Sequence, residues 1–116
     1  MYNFGSIPFF ASNNNLIEKN PEGIPICVVA PSLSGTPSPG RVLSVDLGRW
    51  ENDVESYGYS WYRDDLIVSS SDTYELTQSD VGYNIQCVIT AYNRQGESSA
   101  STRSVLIRSS EQTTRE

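Results

Sequence analysis

A chain of 116 residues accommodates one domain of ordinary size and leaves too little for a comfortable second one. Eight Lys and Arg stand against fourteen Asp and Glu, a net charge of −6, which argues against nucleic-acid binding through a basic surface. Histidine is absent, and with it go the Ser-His-Asp and Cys-His nucleophiles, the common zinc triads and the imidazole base. The expectation is a non-enzymatic protein with no cofactor and no catalytic or metal residues. No apolar run approaches the ~18 to 20 residues of a membrane helix, and no secretory leader follows Met1. A chain kept in a cytoplasm holds its thiols reduced.

Residues 1–24 do not read as core. Ala11 to Asn15 are polar, and Asn20-Pro21-Glu22-Gly23 is a series of turn formers. Yet all three phenylalanines lie here, Phe4, Phe9 and Phe10, beside Tyr2 and Ile7. Burying one such side chain contributes about 1.5 to 3 kcal/mol, which is lost if it faces water. Three readings fit: an irregular flap folded on its own domain, an arm docked on another subunit, or an ordinary flexible start. The second makes Tyr2, Phe4, Ile7, Phe9 and Phe10 the partner-binding residues.

From residue 25 onward the apolar period is two, the mark of strands. Ile26 to Ala30 form an apolar run closed by Pro31, and Ser34 to Gly40 form a turn. Leu43, Val45 and Leu47 alternate with Val42, Ser44 and Asp46. Tyr57, Tyr59 and Trp61 share one parity, and Arg63-Asp64-Asp65 turns the chain into Leu66-Ile67-Val68. A short strand over Thr73 to Thr77 points Tyr74 and Leu76 inward. Tyr83, Ile85, Cys87, Ile89 and Ala91 then fall on one face of the strongest strand. Asn93 to Gly96 turns it, and Ser98 to Ile107 returns as a last strand before the polar tail of residues 108–116. About seven short strands with turn chemistry between them point to an all-β antiparallel β-sandwich over residues 25–107. Its expected core is Leu43, Val45, Trp61, Ile85, Cys87 and Ile89.

A tryptophan on the third strand and an Asp80-Val81-Gly82-Tyr83 corner before the Cys87 strand resemble the immunoglobulin-like fold. Leu43, on the second strand, stands where the partner cysteine of antibody-type domains would be, and Cys87 lies one residue late, so the inter-sheet disulfide is missing. The chain is more similar to the Ig-like modules of tailed-bacteriophage structural proteins and related bacterial surface proteins. The likeness covers about residues 31 to 107 and rests on an ordered series of motifs. It runs Pro31 to Gly35, Gly40 to Leu43, Gly48 to Trp50, Tyr59 to Asp64, Tyr74 to Leu76, Asp80 to Gly82 and Ile89 to Gly96. This resemblance implies a scaffold and not a chemistry. It makes the chain a structural virion protein, assembled in the host cytoplasm. The expected form is a capsid decoration protein whose arm holds the major capsid protein or another virion protein. A tail or baseplate accessory subunit, or a carbohydrate- or cell-surface-binding module, is the alternative.

Other candidate sites have simpler explanations. Asp64 and Asp65 would need about six to eight converging oxygens to hold calcium, whereas turn aspartates commonly satisfy nearby amides. Asp46, Glu51, Asp53 and Glu55 read as a solvated edge rather than the paired carboxylates of a glycosidase. Trp50, Tyr57, Tyr59, Tyr62 and Tyr92 could form a platform for a host-surface glycan. Cross-strand pairing of Tyr62 with Tyr92 accounts for the outward pair without a ligand. Cys27 and Cys87 could bridge if their Cα atoms came within about 7 Å; buried free thiols are the competing reading.

Overall fold

The computed structural model describes residues 23–109, and ten strands lie among them. They are β1 (Ile26–Val29), β2 (Ser32–Ser34), β3 (Val42–Asp46), β4 (Arg49–Glu51) and β5 (Ser56–Arg63). β6 (Leu66–Ser69), β7 (Thr73–Glu75), β8 (Asn84–Asn93), β9 (Gly96–Ser101) and β10 (Val105–Leu106) follow, with one 3₁₀ turn at Gln78–Asp80. The described residues are all-β and the pairings are antiparallel.

The largest sheet is built on β8. One edge of β8 pairs with β5, which pairs with β6, and the other edge takes β9 and then β10. A second sheet has the order β2-β3-β7, and β1 pairs with β4 in a third. Side chains from the two larger sheets converge on one apolar cluster of Leu43, Trp61, Leu76, Ile85, Cys87, Ile89 and Ile107. Trp50 from β4 packs against it. Strict alternation explains β8: Ile85, Cys87, Ile89 and Ala91 are fully buried, while Gln86, Val88 and Thr90 between them stay partly exposed. Val45 is only half-buried and packs against the cluster.

Trp61 carries the largest share. It pairs with Cys87 across β8, stacks on Tyr74 at 5.6 Å between ring centroids, and donates its indole N–H to Ser71 O at 2.6 Å. The polar end of a buried indole needs such a partner.

Four expectations change. The single last strand over Ser98 to Ile107 is split, since Thr102 turns inward between β9 and β10 and is buried. Its N–H donates to Cys87 O at 2.9 Å and its hydroxyl accepts the Cys87 N–H at 3.1 Å, so a side chain replaces a ladder carbonyl. The strand expected over Ile26 to Ala30 ends at Val29, and its Ile26, Val28 and Val29 are about half exposed. Tyr83 lies outside β8 and is exposed, under the Arg63 guanidinium at 5.6 Å. Finally, β4 follows Gly48, whose φ of 78° ends the run from Leu43 to Leu47. A Cβ on Gly48 would stand 2.0 Å from Val29 O, so only glycine lets β1 lie against β4 here.

Candidate functional site

The most developed polar constellation centres on Asp80. Thr77 caps the 3₁₀ turn, and its N–H donates to Asp80 Oδ2 at 2.8 Å. The Thr77 hydroxyl donates to the same oxygen at 3.2 Å. Arg63, arriving from β5, places Nη1 3.0 Å from Asp80 Oδ1. The Tyr74 hydroxyl, from β7, donates to the carboxylate from 3.0 Å to each oxygen. Asp80 itself is completely buried. Burial alone would raise its pKa, but the Thr77 amide, Arg63, Tyr74 and the Thr77 hydroxyl together hold it below the ordinary carboxylate value. The Tyr74 phenol is pushed up to about 12, by burial first and then by its bond to Asp80. A carboxylate so saturated, beside a phenol that keeps its proton, is a poor acid or base near neutral pH. It is a joint between β5, β7 and the corner before β8.

The acidic candidates are dispersed. Asp64, with φ of 52°, accepts the Asn84 N–H at 3.1 Å and donates its own N–H to Asn84 O at 2.8 Å. Asp46 accepts the Gly48 N–H at 2.9 Å, and Glu51 meets Arg49 at 3.3 Å. Glu55 meets Arg94 at 3.8 Å. Among the described residues no three Cys, Asp or Glu converge as metal ligands would.

The aromatic candidates do not form a platform. Trp50 meets Tyr57 edge-on at 6.2 Å and spends its indole N–H on Leu47 O at 2.8 Å. Tyr62 and Tyr92 do not face each other: Tyr92 stands opposite Ser56 and Tyr62 opposite Gln86, at the two ends of the β5·β8 pair. The Tyr92 ring instead covers Gly58, the glycine two places from Ser56 in β5. Cys27 and Cys87 are both free. Burial pushes the Cys87 thiol up to about 11, against a Ser60 backbone hydrogen bond that lowers it.

Two clefts remain. One, of about 450 Å³, opens between β2 and the Ser101 to Val105 segment, with Pro31, Leu33, Leu43 and Val105 among its lining. The other, of about 330 Å³, lies between the Thr36 to Arg41 turn and Arg108. Neither was legible in the sequence, because each joins segments about seventy residues apart. The proposed arm residues Tyr2, Phe4, Ile7, Phe9 and Phe10 lie outside the described residues. No protein-family model, curated protein or solved structure matches the chain.

Proposed function

We propose that this chain is a structural virion protein, a capsid decoration protein with an immunoglobulin-like sandwich as its exposed knob and residues 1–24 as its anchor. The observation that carries the reading is the ordered motif series from Pro31 to Gly96. The strand pairings are compatible with it: β2-β3-β7 and β9/β10-β8-β5-β6 share one core around Trp61. Such an arrangement is expected of an Ig-like domain. Asp80 and Tyr74 brace the corner before β8, and Leu43 and Cys87 fill the core where antibody domains place a disulfide.

The anchoring role rests on composition. Every phenylalanine lies in residues 1–10, with Pro8 disfavouring a helix. An extended strap binds by main-chain pairing and side-chain pockets, and several aromatic anchors offset its ordering cost of about 1 to 2 kcal/mol per residue. The acidic knob then faces outward, where like charge keeps particles apart.

Deleting residues 1–12 tests the reading. The truncated chain is expected to keep its near-ultraviolet dichroism and to disappear from assembled particles. Unchanged incorporation would put the anchor on the sandwich. Cosedimentation with tails and not heads would favour the accessory-subunit alternative.

A further inference from the structure

The side of the molecule between β2 and β10 is where two sheets meet without pairing. Among the described residues β2 pairs with β3 alone and β10 with β8 alone, and residues of both strands line the cleft. Thr102, drawn inward by its bonds to Cys87, lies in the break between β9 and β10, and Arg103 and Ser104 from the same break line the cleft. At the other end of the same side the gap is closed, since the Ser98 hydroxyl donates to Pro25 O. The open part has an apolar floor at Leu43 and apolar walls at Pro31, Leu33 and Val105, with Arg103 the one charged residue in its lining. Its 450 Å³ lies within the usual range of clefts that take up a ligand group.

The chain carries a segment of matching chemistry. Residues 1–17 contain no charged side chain, and Tyr2, Phe4, Ile7, Phe9 and Phe10 supply apolar groups that match the apolar floor and walls of the cleft. No phenylalanine occurs among residues 23–109. Reach is sufficient. The described chain starts at Gly23, and seven residues lead from there to the near end of the cleft at Ala30, at most about 25 Å. Residues 11–22 span up to about 40 Å when extended, and Asn13 to Asn15 and Asn20 to Gly23 are suited to reversing direction. A tethered segment meets its own cleft at an effective concentration near millimolar, ahead of a second copy in dilute solution.

We infer that the cleft between β2 and β10 is a peptide-binding groove and that its occupant in the free protein is the chain's own Tyr2 to Phe10 segment, lying extended against the two sheet edges. This goes beyond the anchoring role: the groove stores the strap until a particle surface competes for it. It also blunts two edges that would otherwise template association.

The phenylalanines make the test selective, because Phe rings report residues 1–10 alone. The full-length chain would be labelled at Phe rings and at Leu and Val methyls, and cross-relaxation between the two recorded. Contacts from Phe rings to the Leu33 and Val105 methyls are expected, unchanged on tenfold dilution. They are expected to vanish in both Leu33→Asp and Val105→Asp while the Leu43 and Leu76 signals stay put. Phe rings at random-coil positions without those contacts would overturn the proposal. Contacts seen only between differently labelled copies would overturn it too, by making the occupant a second molecule. Incorporation into particles is a separate readout, so the anchoring role and the groove can fail independently.

Discussion

Arg63 on β5 and Asp80 on the corner before β8 are joined at 3.0 Å, one partner partly exposed and the other completely buried. Folding holds the Asp80 carboxyl below its ordinary value. The folded chain therefore binds fewer protons than the unfolded one, and the stabilisation is complete above the unfolded carboxylate pKa near 4. It is lost as pH falls through the folded value. Thermal unfolding followed from pH 7 to pH 2 is expected to show a steep acid limb, and Asp80→Asn is expected to flatten it. Asp80→Ala should cost about 3 kcal/mol at pH 7, the low end for a broken buried pair, because Arg63 retains some water. An unchanged acid limb in Asp80→Asn would assign the acid sensitivity to other carboxylates.

Trp61 should be the most expensive single side chain to remove. Trp61→Ala is expected to cost about 3 to 5 kcal/mol, and Trp61→Phe about 1 to 2, since Phe keeps the stack on Tyr74 but not the indole donor to Ser71. Urea unfolding of the two variants checks the order. A mild effect of Trp61→Ala would mean that the core closes without it.

The two thiols should separate cleanly. Cys87 is completely buried and pushed up to about 11, whereas Cys27 is only partly buried on edge strand β1. A disulfide reagent at pH 8 is expected to modify one thiol in the native chain and two after denaturation. Because the folded Cys87 pKa is raised, its contribution holds below the unfolded value near 8.5 and is lost as pH rises through 11. Tyr74, pushed up to about 12, adds loss in the same direction. Stability should decline on the alkaline side above pH 9.

Gly48→Ala should act on β1 and β4 specifically. The added methyl meets Val29 O and the backbone has a positive φ, so a loss of about 2 to 4 kcal/mol is expected. Hydrogen exchange should quicken first at Cys27 and Trp50, which face each other across that pair. Uniform acceleration would locate the strain elsewhere.

Strands β5 and β8 were legible because long alternation with one buried face writes itself into parity. The buried face of β8 from Ile85 to Ala91 followed directly. Parity could not report Thr102, a polar residue that goes inward because its hydroxyl serves as a backbone acceptor. Nor could it show that the Ile26 to Val29 run lies at an edge, since apolar composition says nothing of which neighbours pair. Gly48 hid β4 by ending one alternation before another began. Asp80 was visible as part of a corner, but its partners Arg63 and Tyr74 come from separate strands, and only the fold brings them to one carboxylate. The β2–β10 cleft has no local signature for the same reason.

The chain's entry into the described domain is held at three successive carbonyls: Asn93 Nδ2 donates to Gly23 O, Asn52 Nδ2 to Ile24 O and the Ser98 hydroxyl to Pro25 O. Tension on the preceding residues would therefore load the β8–β9 hairpin and the Asn52 turn before it reaches the ladder between β1 and β4. A pull on the residues before Gly23 would then reach these three bonds before it unzips the strand that follows. The three side chains act as a strain relief, and mechanical failure should begin with their release rather than with the core.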